Sequence, residues 1–271
     1  MSSDIPVTVV IPCFNHGHFV REAIRSVEKC AQGTFELIIV NDGSTDSHTR
    51  QVMKELEADG YRVINQPNQG LAAARNNGIR AGTGRYVLPL DADNLIRPGY
   101  ISAATEILDR FPAVSVVYGK PAYFGEKTDR SFDIGGEFDL FRLLRDNYID
   151  ACTIIRKSTF EECGGFDGEM PCQGYEDWDL WLTMASRGHQ FYFIDEILFD
   201  YRICHDSMIH QAVAQDRFRD VFDYFCKKHP LFALQARVSK LERQLADRDR
   251  SRILKVAKAY WNFRNGIFTR F

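Results

Sequence analysis

The first 120 residues alternate between two hydrophobic rhythms. Short apolar runs rich in β-branched residues, VTVVIP (7–12), ELIIVND (36–42), RVINQ (62–66), RYVLPLD (85–91) and VSVVYG (114–119), have the length and make-up of buried strands. Between the first two, Phe19, Val20, Ala23, Ile24, Val27 and Cys30 recur at the spacing of one helix face. Val52 and Leu56 mark a second helix, with Asp46 or Ser47 placed to cap it and Gly60 to end it. The Ala-rich segment 70–82 and a segment opened by Pro98, with Ile101, Thr105 and Leu108 on one side, predict two more. This β-α-β-α order predicts an α/β fold with a mostly parallel central sheet and helices on both faces.

The second half is less regular. Residues 120–136 read as a loop, FDLFRLLRD (138–146) as a short helix and ACTIIRK (151–157) as a strand. EDWDLWLTMASRG (176–188) is a helix with Trp178, Trp181, Leu182 and Ala185 on one side, and FYFIDEILFDYR (191–202) supplies one or two strands. Residues 207–228 are helical, carrying Ile209, Val213, Val221, Phe222 and Phe225. Leu231, Leu234, Val238, Leu241 and Leu245 then repeat at 3, 4, 3, 4, the seam of a coiled coil about two heptads long, which would serve a homodimer. Farther on, Ile253, Val256, Ala257, Tyr260, Trp261 and Ile267 form one stripe with basic residues opposite, the pattern either of a helix lying in a membrane interface or of one packed on the acidic body. The expected division is a catalytic-type domain over 1–228, split near 119 and 120, followed by a basic helical extension over 229–271.

Charge sharpens that division. The 271 residues carry a net charge of −3, yet residues 237–271 hold ten Lys/Arg against three Asp/Glu, so that the body carries about −10 and the tail about +7. A nucleic-acid binder would show a basic excess overall, so no nucleic-acid partner is expected. No apolar run reaches the ~18 residues of a membrane span, and the opening residues lack the form of a secretory signal. Seven scattered cysteines without a CxxC pair point to reduced thiols, and with these features to a cytoplasmic protein, peripheral on the inner membrane face if the tail docks there.

Ligands on open α/β sheets bind beyond the carboxyl ends of strands. Asn15 follows the first strand, Asp42 the second, and Asp91 and Asp93 the fourth. In an extended segment, positions i and i+2 point the same way, so Asp91-Ala92-Asp93 offers either two carboxylates to a hard divalent cation or a polar turn. Asp42-Gly43-Ser44 is either an Asx turn or a carboxylate for a base or ribose. Asn68-Gln69-Gly70 opens the Ala-rich helix with residues small enough for close ligand approach, and Arg75, one turn on, is placed to meet a diphosphate or Asp91. Glu176-Asp177 either satisfies a helix N-terminus or supplies a general base. No dinucleotide-binding G-x-G-x-x-G, P-loop or G-x-S-x-G elbow is present.

Taken in order, VTVVIPCFN, LIIVNDGSTD, NQGLAAARNNGIRAGTGRYVLPLDAD, GGFD, YEDWDLWL and YRICHDSM resemble the family 2 glycosyltransferases, over about residues 5–210. The resemblance implies the GT-A fold and inverting transfer of a sugar from a nucleotide-sugar donor, most often a UDP-sugar, to a glycan or lipid-linked acceptor. It implies Pro12, Phe14, Asn15 and Asp42 around the donor nucleoside, Asn68, Arg75 and Asp91 along the rest of the donor, and Asp91 and Asp93 as ligands of Mn²⁺ or Mg²⁺. Asp177 matches the catalytic base. His205 is implied as a further metal or phosphate contact, although Cys204 holds the family's histidine slot and His205 is one place later. Asn94 also departs from the pattern, standing where an acidic residue is common. The competing classes are a sugar-1-phosphate nucleotidyltransferase, whose Gly-rich basic loop is missing here, and a non-catalytic nucleotide-sugar-binding relative.

Overall fold

The computed structural model describes residues 6–30, 35–126, 134–203 and 218–246, together with Lys255. His205, Cys204, the 207–217 part of the expected helix and the apolar stripe from Ile253 onward lie outside the described residues, apart from Lys255.

All five expected strands form: β1 (Val7–Cys13), β2 (Phe35–Asp42), β3 (Arg62–Gln66), β4 (Tyr86–Pro89) and β6 (Val114–Gly125). With β5 (Leu95–Ile96), β7 (Ile154–Arg156) and β8 (Gln190–Ile203) they make one eight-stranded sheet in the order β3-β2-β1-β4-β7-β6-β8-β5. Four pairings are parallel, namely β1 with β2, β1 with β4, β2 with β3 and β6 with β8. Three are antiparallel, all involving β7 or β5.

Every residue of β1 is buried, because helices cover both faces of the sheet. Val7, Val9 and Ile11 pack on one face with α1 (Gly17–Lys29), α2 (Ser47–Ala58) and α4 (Tyr100–Arg110). Val10, Ile38 and Val40 pack on the other with α3 (Leu71–Ala81), the short α5 (Leu140–Leu143), α6 (Lys157–Glu162), α7 (Glu176–Ser186) and α8 (Phe218–Lys228). Gly78 lets α3 lie close on the sheet, since a Cβ there would stand 2.3 Å from Val10 Cγ1. A further helix, α9, runs over 230–246. No helix among the described residues is long and apolar enough to cross a membrane.

The structure departs from the hydrophobic pattern in several places. Residues 120–125 are not loop but the end of β6, paired with β8 out to Gly125–Ile203. Their side chains are only half-buried, so the apolar signal fades before the strand does. Residues 191–202 form one strand. Pro98 precedes α4, and Gly99 at φ 87 turns the chain into it. β5 and α6 are too short to carry a periodic signal.

Candidate active site

The ends of β1 and β2 meet in a closed network of amides and hydroxyls. Asn15 takes the left-handed conformation at φ 59, which Asn tolerates better than most residues. Its Oδ1 accepts from the N–H groups of Thr45 (2.9 Å) and Asp46 (3.0 Å), and its own N–H donates to Ser44 Oγ (3.1 Å). Asp46 in turn caps α2 by accepting from the His48 and Thr49 N–H groups. Asp42 is buried at 3% exposure. Its Oδ1 accepts from Gln66 Nε2 (2.8 Å) and Gln69 N (2.9 Å), and its Oδ2 from Gly70 N (2.9 Å). Asp42 thus shapes the turn that launches α3. Gly70 sits at φ 88 with Gln173 against it, so no side chain fits there. Pro12 is buried in β1, Phe14 is 41% exposed just beyond it, and Asn68 is exposed, its Oδ1 accepting from Gly70 N (3.2 Å).

Beyond β4 the chemistry changes. Asp91, Ala92, Asp93 and Asn94 form a turn closed by the Asn94 N–H donating to the Asp91 carbonyl (3.0 Å), which corrects the extended geometry expected for Asp91-Ala92-Asp93. Asn94, at 3% exposure, faces inward, and its Oδ1 accepts from the Arg202 N–H of β8 (2.9 Å). Its departure from an acidic residue therefore joins two strands and removes no charge from the site surface. Arg202 Nε also donates to the Asp93 carbonyl (2.9 Å), while its head pairs with Glu22 and lies 4.4 Å from the Phe19 ring centre.

Arg75 stands behind this turn with a side chain only 3% exposed. It donates to Asp91 Oδ1 (2.5 Å) and to Glu176 Oε1 (2.7 Å), and its guanidinium lies 5.3 Å from the Phe166 ring centre. Its Nε has no hydrogen-bond partner among the described residues. Burial alone would lower the Arg75 pKa, but the carboxylates of Asp91 and Glu176 outweigh it and hold the group charged. Of the two readings of Arg75, the structure favours the pairing with Asp91. Glu176 is fully engaged, with Oε2 accepting from Gly174 N (2.6 Å), which leaves it a clamp on Arg75.

Asp177 follows at the start of α7. Its Oδ1 accepts from Trp178 N (2.7 Å) and Asn147 Nδ2 (3.1 Å). Burial, then Glu176 and Asp150, push its carboxyl up to about 8. Asp150, which the residue pattern did not single out, joins the group. Its Oδ1 accepts from Cys152 N (2.8 Å), and burial together with Asp91 pushes it up to about 7. Burial and Asp91 likewise push Asp93 up to about 6. Asp91, Asp150, Glu176 and Asp177 therefore share one buried guanidinium, while Asp93, beside Asp91, feels the positive charge of Arg202 instead. Asp150 lies in a stretch, YIDACT, that reads only as the approach to a strand. No spacing rule could have found it, because tertiary packing alone brings it to Asp91.

Among the described residues no three His, Cys, Asp or Glu side chains form a ready metal-binding group. Two hard carboxylates and an excess of negative charge nonetheless fit a divalent cation of the Mg²⁺ or Mn²⁺ type, which commonly takes one or two protein carboxylates and completes its shell with phosphate oxygens and water. A surface depression beside α1 and β5 is lined by residues of both charges, Glu22, Arg25, Lys29, Arg97 and Asp200 among them.

A doubly covered, partly parallel sheet whose strand ends present an Asp-x-Asp turn defines a GT-A-type glycosyltransferase fold. The chain belongs to Glycosyl transferase family 2, which matches residues 8–164. It is 29% identical over 152 residues to Glycosyltransferase GlyA of Streptococcus pneumoniae, covering 55% of this chain and 20% of that one. It is 27% identical over 208 residues to the putative teichuronic acid biosynthesis glycosyltransferase TuaG of Bacillus subtilis, covering 74% and 81%. In fold it is similar to S. aureus TarS solved with UDP-GlcNAc, with a TM-score of 0.68, 17% identity and coverage of 85% and 66%. The mannosyltransferase PcManGT of Pyrobaculum calidifontis, solved with GDP-Man and Mn²⁺, gives a TM-score of 0.59, 18% identity and coverage of 77% and 60%. The chain thus spans a fifth of GlyA and less than two thirds of the TarS chain.

Proposed function

We propose that this chain is an inverting glycosyltransferase that moves a sugar from a nucleotide-diphosphate donor, most simply a UDP-sugar, to a hydroxyl of a glycan or lipid-linked acceptor. The observation that carries this reading is the packing of Asp91, Asp150 and Asp177 about Arg75 with Asp93 beside Asp91, where burial and mutual repulsion push Asp93, Asp150 and Asp177 up to about 6, 7 and 8. Such crowding is costly for the free protein and favours binding of a cationic or proton-donating ligand. Relatives in fold bind UDP-GlcNAc and GDP-Man, which supports the donor class, and the relation to TuaG supports a glycan acceptor.

In this reading Asp91 and Asp93 hold Mn²⁺ or Mg²⁺, which when bound supplies positive charge for the departing diphosphate. Arg75 fixes Asp91 through Oδ1 and leaves Oδ2 for the donor side. Asp177, with one oxygen tied to Asn147 and Trp178, would present the other to the acceptor hydroxyl and, in its deprotonated form, take its proton. The hydroxyl oxygen attacks the anomeric carbon from the face opposite the diphosphate, and that in-line geometry inverts the carbon. The Asn15–Asp42 framework forms the nucleoside side of the cleft, with Phe14 as its exposed aromatic.

A panel of nucleotide-sugars, assayed for binding and donor hydrolysis with and without Mn²⁺, tests this. One UDP-sugar should bind and turn over only with the cation. Full activity after exhaustive EDTA treatment would remove the metal role, and no binding by any nucleotide-sugar would overturn the donor class.

A further inference from the structure

The helix α9 has two faces of different character. Phe232 is buried at 3% exposure among Trp178, Phe222 and Phe225, and Gln235, Ala236 and Ser239 follow it at helical spacing as half-buried positions. That stripe lies on the body. The opposite stripe is apolar and uncovered: Leu231 is 47% exposed, Leu234 60%, Val238 39%, Leu241 52% and Leu245 58%. Phe232 follows Leu231 by one position, about 100° round the helix; Leu231 still borders a small cavity with Leu140, Leu144 and Leu182, and the stripe from Leu234 onward turns from the body. All residues from 240 to 246 are exposed, so this end stands clear of the fold.

We propose that this stripe is a self-association surface, and that its occupant is α9 of a second copy of this chain in a parallel two-stranded coil. The 3-4-3-4 spacing puts Leu231, Val238 and Leu245 at a positions and Leu234 and Leu241 at d positions. Leucine at d with a β-branched residue at the central a position favours two strands. Charge then fixes the direction. Arg237 occupies a g position and Glu242 the e position five residues on, so a parallel pair sets Arg237 of each helix against Glu242 of the other. An antiparallel pair would face Arg237 with Gln244 and Glu242 with Gln235, gaining no opposite-charge contact. The chain beyond α9 is a poor cover by the same reasoning. Residues 247–271 hold seven Lys/Arg and two Asp/Glu, a net of +5, against a helix that carries Arg237, Lys240 and Arg243 with only Glu242 opposing them.

Sedimentation equilibrium on the full chain at micromolar loading provides the test. The wild-type protein should show a reversible dimer, and Leu234→Asp with Leu241→Asp should sediment as a monomer with unchanged donor hydrolysis. Arg237→Glu alone should weaken the dimer, and adding Glu242→Arg should restore it. Leu241→Cys should form a dimer-linking disulfide on mild oxidation. A monomeric wild-type chain, a dimer indifferent to the seam substitutions, or a monomer that uses the seam to bind phosphatidylglycerol vesicles would each overturn the proposal.

Discussion

The two sides of the cleft reach the same sheet edge by opposite routes. At the ends of β1 and β2, Asn15 and Asp42 are saturated with hydrogen bonds from the chain itself, and Asp42 alone accepts three. Beyond β4, Asp93, Asp150 and Asp177 have few donors and repel one another, so that burial and neighbouring charge push them to about 6, 7 and 8. The first side is a finished structure and should tolerate no loss. The second stores electrostatic repulsion that a cation and donor would release, and it should become more stable when a charge is removed. Polar residues at one sheet edge therefore need not share one purpose.

The largest effect expected concerns Asp177→Asn. With Asp177 in the proposed role of general base, its loss should slow transfer by about 10²–10⁴-fold, while a thermal melt at pH 8 should show the variant more stable than wild type by a few degrees. A variant that melts lower would remove the contrast between the two sides. Next, Arg75→Met strips the lone buried cation from Asp91 and Glu176, and should cost about 3–5 kcal/mol in urea unfolding, as expected when one partner of a buried pair is lost. Asp42→Ala sharpens the comparison from the finished side. It leaves the N–H groups of Gln69 and Gly70 without their acceptor and should cost about 1–3 kcal/mol at any pH where the protein is folded.

The smallest effect is a slope. In the folded chain Asp93, Asp150 and Asp177 keep protons that the unfolded chain, with carboxylates near an ordinary value of about 4, has already released. The native state thus binds more protons between about pH 4 and 8, and stability falls as pH rises through that window. Asp150→Asn should make the fall shallower, read from denaturation midpoints across the same range.

Much of this arrangement is legible in the linear chain. Strands buried on both faces announce themselves as unbroken apolar runs, and polar residues immediately after them mark the cleft. The antiparallel insertion of β7 between β4 and β6 is not legible, because three residues carry no record of direction. Nor is the role of Glu176. Its position in the first turn of α7 suffices to explain a carboxylate, and only the fold brings Arg75 to it across 101 residues of chain. Asp150 was missed for the same reason: its partners are remote in sequence and its local hydrogen bond to Cys152 is an ordinary turn. Asp42 was legible as a polar residue at the end of a buried strand, but its bonding to Gln66, Gln69 and Gly70 depends on the path of the turn into α3.

At pH 7 the crowded carboxyls are held partly protonated by burial and by one another, and a bound cation should let those protons go. Calorimetric titration of Mn²⁺ with UDP into the protein at pH 7, repeated in two buffers of different ionisation enthalpy, reads the protons exchanged on binding. The account predicts net proton release that shrinks in Asp150→Asn and Asp177→Asn, because neutralising the Asp91–Asp93 turn lowers the affinity of its neighbours for protons. Binding without proton release, or with a release that both variants leave unchanged, would contradict it.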